Sequence, residues 1–198
     1  MKISIALLCL LLVPACREPV PSANAQGAQP AAPATDTTRA RELTLFRTGL
    51  AEVQELTGGA PSLDSLGRAV ASAMMANDRA RLASLGLSRA EFAWIYYPTN
   101  PQALPPYDLD PGTMWMMQDG QSAKGLGRAM ERLNGLKLTF QKLDCGPKAS
   151  RQGENEVYGP CVITLTDAKG TVSEGRIFSQ VISRHGQWKV VSYANQLD

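Results

Sequence analysis

Few residues in this chain could carry chemistry, and they are scattered. His185 is the single histidine among 198 residues, and it precedes Gly186 between two strand-like stretches, where a polar residue is expected because the turn is solvated. A zinc site needs several His or Cys ligands, and a His-based triad would here rest on a turn residue, so neither is expected. Cys145 and Cys161 form an even pair once Cys9 and Cys16, near the N-terminus, are set aside. They lack C-x-x-C spacing, and the reading is one structural disulfide that stabilises the domain by about 3 kcal/mol in the chain-entropy view. Glu174 and Arg176 put one acid and one base near each other, rather than paired carboxylates. Glu91 follows Ser88 at capping-box spacing and is expected to be structural. Arg39, Arg41 and Arg47 read as a solvated face.

Trp94, Tyr96, Tyr97, Tyr107 and Trp115, with Met114, Met116 and Met117, make the densest aromatic and thioether region. Such side chains suit adaptable apolar recognition beside a rigid scaffold, and they equally pack a loop against helices. With Arg176 the five aromatics are the expected ligand-binding residues. No catalytic residue, metal ligand or cofactor is assigned.

The elements that must position these groups follow from periodicity. Leu43, Phe46, Leu50 and Val53 recur at helical spacing between a Thr38 cap and a Gly58-Gly59 stop. Ser62 opens a second helix with Leu63, Leu66, Val70, Ala73 and Met74 on one face, Asp78 a short third, and Ser88 a fourth running toward Tyr97. Residues 98–111 hold Pro98, Pro101, Pro105 and Pro106 and read as an ordered, extended loop. Asp110 and Pro111 then cap a helix that breaks near Gly120, resumes near Ser122 and ends at Gly135. The period next changes to that of strands: Leu136 to Asp144, Val157 to Thr166, Val172 to Ser183 and Trp188 to Leu197, the last two joined at His185-Gly186. The expected class is α+β, with the N-terminal helices on the concave face of a curved, roughly four-stranded antiparallel sheet.

The N-terminus reads as an export signal, residues 1–15: Lys2, then the apolar run Ile3 to Val13, which is shorter than the about 20 residues a membrane span needs. Leu12 to Cys16 resembles the lipobox of bacterial lipoproteins, with Pro14 departing from the usual small or hydroxyl residue, and this implies lipidation at Cys16. The alternative is ordinary cleavage after Ala25, at Ala23-Asn24-Ala25. Residues 16–38 have a linker's composition and 39–198 form a single domain. The expected location is thus the periplasm or outer membrane, through a lipid anchor, or else secretion. A net charge of +2 with scattered Lys and Arg excludes a nucleic-acid footprint.

Ala69 to Leu85 (AVASAMMANDRARLASL) resembles the opening helix and following Asp-x-x-x-Leu turn of the NTF2-like superfamily, which includes ketosteroid isomerases and SnoaL-like cyclases. Arg176 to Tyr193, ending GQWKVVSY, resembles that family's last hairpin. The resemblance spans Leu63 to Leu197 and leaves the first helix and the proline loop as additions. It implies a cavity between helices and concave sheet that holds a hydrophobic ligand or an active site. The expected function is non-catalytic binding of a small apolar ligand or an envelope protein. The alternatives are a SnoaL-like or isomerase-like enzyme using Tyr96, Glu174 or Arg176, and a module that dimerises through its sheet.

Overall fold

The computed structural model describes residues 36–146 and 150–194. The signal 1–15, Cys16, the alternative cleavage after Ala25, nearly all of the linker and Leu197 lie outside the described residues. Helix α1 (Asp36–Arg47) starts ahead of Thr38, which lies inside it, and ends well before the expected stop at Gly58-Gly59. Gly49, at φ +79°, turns the chain out of the helix, so Val53 meets the core from irregular backbone. The expected helix through Val53 is corrected accordingly.

The next helices begin where side-chain caps dictate. Ser62 accepts from Ser65 N at the head of α2 (Leu63–Met75), and Asp78 accepts from Arg81 N at 2.9 Å at the head of α3 (Arg79–Leu85). Ser88 and Glu91 close a full capping box on α4 (Arg89–Glu91). That turn widens into a π-helical segment, Phe92–Tyr96, and then into two 3-10 turns, Tyr97–Thr99 and Pro101–Ala103. The proline region is therefore wound rather than extended, because Pro98 and Pro101 sit in the first two positions of those turns, where a missing N–H costs nothing. Helix α5 (Pro111–Leu133) runs unbroken through Gly120, contrary to expectation. One exposed glycine costs a helix about 1 kcal/mol, too little to break a rod packed at both ends.

The sheet has six antiparallel strands, not four: β1 (Leu138–Asp144), β2 (Ser150–Gln152), β3 (Asn155–Tyr158), β4 (Cys161–Asp167), β5 (Val172–Arg184) and β6 (Gln187–Tyr193). The expected strand Val157 to Thr166 splits at Gly159-Pro160. Pro160 has no ladder N–H, and Gly159 approaches Ser179 so closely that a Cβ would lie 2.3 Å from its carbonyl oxygen. β3 and β4 thus follow one another along one edge of β5, while β6 takes the other edge. β2 is the added piece, paired with β3.

Helices cover both faces of the β5–β6 ribbon, which corrects the one-face expectation. Val181 and Val190 belong to a core with α2, α3 and the C-terminal part of α5. Ile182 and Val191, their chain neighbours, belong to a second core with the π-helical segment and Met114. Adjacent residues of a strand point to opposite faces, so unbroken apolar pairs mark a ribbon buried twice. α5 reaches both cores by crossing the end of β6 at Gly125, where a Cβ would lie 2.3 Å from the Ala194 carbonyl oxygen.

Candidate functional site

Two concavities flank α5. The first is an apolar cleft of about 290 Å³ between the C-terminal end of α5 and the β1–β4–β5 part of the sheet. Leu133, Leu136, Leu138, Ile163, Leu165 and Ile177 supply its walls, with Arg132 and Glu174 also in the lining. Gly175 in β5 pairs with Ile163, and a Cβ built on it would meet no atom within 4 Å. A glycine inside a strand weakens the strand, and it commonly marks a place where something else approaches the backbone. Here the bare backbone lies under the cleft.

The second is a polar cavity of about 250 Å³ between the N-terminal half of α5, the Tyr96 side chain and the β5–β6 ribbon. Its hydrogen-bonding groups are Tyr96, Gln102, Gln118, Gln121 and Gln180 with Ser179 and Ser192, and no lining residue is charged. Pairing is irregular between Phe178 and Val181, opposite Val190 to Tyr193. Bulges of this kind re-aim side chains at functional sites, and this one brings Ser179, Gln180 and Ser192 to the wall. The π-helical segment, another device frequent at such sites, delivers Tyr96. Its freed Ile95 carbonyl accepts from the buried Asn155 amide at 2.8 Å.

The expected binding residues separate. Tyr96 lines the polar cavity and donates to Gln180 Oε1 at 3.2 Å. Tyr97 is buried, donates to the Leu109 carbonyl at 2.8 Å and borders a hollow of about 250 Å³ beside α1. Trp94 packs beneath Arg47, whose guanidinium sits 3.7 Å from the ring centroid. Trp115 lies against Phe92 at 5.1 Å, Tyr107 is exposed, and Arg176 is exposed on β5, outside both concavities. Glu174 in the cleft accepts from Thr164 Oγ1 at 3.4 Å. The glutamines escaped the sequence reading, although Met114, Met117, Gln118 and Gln121 share one helical stripe that periodicity could have shown.

Among the described residues no group of three or more His, Cys, Asp or Glu side chains is placed to hold a metal ion, and no helix is long and apolar enough to cross a membrane. Burial pushes the Tyr96 phenol up to about 12 against its hydrogen bond with Asn100. Tyr97 is likewise pushed up to about 12, by burial and then by the Glu42 and Asp110 carboxylates, and burial raises Tyr193 as well. These phenols stay protonated at neutral pH, so Tyr96 serves as a hydrogen-bond donor and not as a base.

The sign for stability follows. Below an ordinary phenol pKa of about 10, both folded and unfolded chains hold these protons. Above it the unfolded chain ionises first, so stability present below about pH 10 is lost as pH rises through about 12. Urea midpoints measured across that range, with phenolate absorbance followed in parallel, should fall as the buried tyrosines titrate. A flat midpoint would contradict their burial. Comparison of the chain with protein-family models, curated proteins and solved structures gives no match.

Proposed function

We propose that the domain is a non-catalytic binding module and that its ligand is a small apolar molecule held in the cleft between α5 and the N-terminal half of β5. The bare backbone at Gly175, set among six aliphatic side chains, carries this reading. An open cleft of that composition in water favours any apolar occupant that fits, by roughly 25 cal/mol per Å² of apolar surface removed from solvent. The cleft lies between helix and sheet, where the NTF2-like resemblance implies a ligand cavity. The proposal also places the domain outside the cytoplasm, tethered at Cys16 or released after Ala25. The signal anatomy supports that location, and so does a buried disulfide, since such bonds persist in oxidising compartments.

Gly175→Phe tests the proposal without threatening the fold, because the new ring enters open space and an aromatic suits a strand better than glycine by up to about 1 kcal/mol. A fluorescent naphthyl probe and a series of normal alkanols should bind the wild-type protein saturably. The variant should weaken both by at least about tenfold with its thermal midpoint unchanged or raised. Unaltered probe binding in Gly175→Phe, or no saturable binding to wild type, would refute the assignment.

A further inference from the structure

We infer that the polar cavity on the other side of α5 is a second, separate binding site, and that it takes an uncharged, hydroxyl-rich molecule about the size of a single sugar ring. The argument starts from what the walls can exchange. A primary amide offers two donors and a carbonyl acceptor, and four glutamines face this one cavity. Their orientations are partly fixed from within the protein. Gln180 Oε1 is occupied by the Tyr96 hydroxyl, which leaves its NH₂ as the group on offer. Gln118 Nε2 donates to the Val191 carbonyl at 3.1 Å, which leaves its Oε1 as an acceptor. The side-chain amides of Gln102 and Gln121 bond to no other described group. The cavity therefore offers both donors and acceptors.

That mixture selects among ligand classes. A hydroxyl group donates and accepts at once and can be matched by either kind of amide atom. A carboxylate or phosphate only accepts, an ammonium only donates, and no charged side chain lines the cavity to offset the cost of desolvating either. Leu109, Met114, Met117 and Val191 give the cavity an apolar wall as well. A saturated ring with hydroxyls at its edge and C–H bonds on its faces presents both kinds of surface. A purely apolar ligand would bury the amides unpaired and is disfavoured here, though it is favoured in the cleft.

Nitrogen-proton correlation spectra report directly on the four side-chain amides. Titration with glucose and N-acetylglucosamine should shift the amide signals of Gln118, Gln121 and Gln180 saturably. Glucuronate and glucosamine, of similar size but charged, should bind at least about tenfold more weakly. Gln180→Leu and Gln121→Leu should each weaken the neutral sugars by about tenfold, the expected loss for a hydrogen-bonding partner in a partly dry site. Gln121 is exposed on α5, so its variant should keep the wild-type thermal midpoint. No saturable shift with any neutral sugar, equal binding by glucuronate, or full binding in both glutamine variants would overturn the assignment. Gly175→Phe should leave these titrations unchanged, so failure of the apolar cleft and failure of this site are distinguishable.

Discussion

Lys189→Met is expected to cost about 3–5 kcal/mol of folding free energy, the range for stranding one member of a buried ion pair. Lys189 and Glu91 are 2% and 1% exposed, and the ammonium lies 2.7 Å and 3.0 Å from the two carboxylate oxygens. The pair is fully satisfied. Glu91 also accepts from the Thr57 and Ser88 backbone N–H groups, each at 2.8 Å, and Lys189 donates to the Thr57 carbonyl at 2.7 Å. Three parts of the chain, the 57–60 loop, α4 and β6, are joined at this point. The loop also pairs with β6 between Ala60 and Trp188, and Gly59 sits where a Cβ would be 2.5 Å from the Trp188 carbonyl oxygen.

The two single replacements should differ. Lys189→Met leaves a carboxylate that still accepts from two backbone N–H groups, whereas Glu91→Leu leaves an ammonium with one carbonyl and also dismantles the capping box. Glu91→Leu should therefore be the worse. The double variant, Glu91→Leu with Lys189→Met, should recover part of the loss, since an apolar pair leaves no stranded charge. For a domain of this size 3–5 kcal/mol corresponds to roughly 6–20 °C in thermal midpoint, and urea unfolding of the four proteins measures the coupling. A cost below about 1 kcal/mol in both singles, the exposed-pair range, would mean that water reaches the pair.

What the sequence revealed of this arrangement follows from how local each determinant is. Ser62, Asp78, Ser88 and Asp110 cap the helices they were expected to cap, because an N-cap bond spans three residues and needs no tertiary context. The His185-Gly186 turn lies between β5 and β6 with both residues at positive φ, as a tight hairpin requires. The Cys145–Cys161 bond could be read by elimination. The misses are tertiary. Gly49 ends α1 although Leu50 and Val53 continue its period, and Gly120 fails to break α5 because packing at both ends outweighs one glycine. The split at Gly159-Pro160 depends on a carbonyl from β5, and pairing across strands is not written in spacing. The charge-free cavity was the least legible feature. Glutamine carries no titration, metal or nucleophile signature, and the irregular pairing that brings Gln180 and Ser192 to one wall exists only once β5 and β6 are aligned.

Removing the Cys145–Cys161 bond is the second change expected to have a large effect. Both cysteines are buried, and sixteen positions separate them, a loop for which the chain-entropy estimate is about 3 kcal/mol. β1 pairs with β4 as far as Asp144 opposite Val162, and β2 resumes with β3 at Ser150 opposite Val157. Cys145 follows β1 directly and Cys161 opens β4, so the covalent link closes the end of the β1–β4 ladder next to the Asp144 and Val162 pair.

Cys145→Ala with Cys161→Ala should lower stability by about 3 kcal/mol, roughly 6–12 °C in midpoint. Reduction of the wild type should reproduce that loss. The corresponding double serine variant should be worse by a further about 1–3 kcal/mol for each hydroxyl left unpaired. Ile163 lies two positions after Cys161 in β4 and pairs with Gly175 in β5, and both line the apolar cleft, so the reduced protein should also bind the naphthyl probe more weakly. The polar cavity draws on β5, β6 and α5 instead, and its sugar titration should change less. A melting midpoint indifferent to reductant would show that the pairing of β3 and β4 along β5, with the two cores, holds this end of the sheet without the bond, and equal losses at the two sites would show that the two sites do not respond separately.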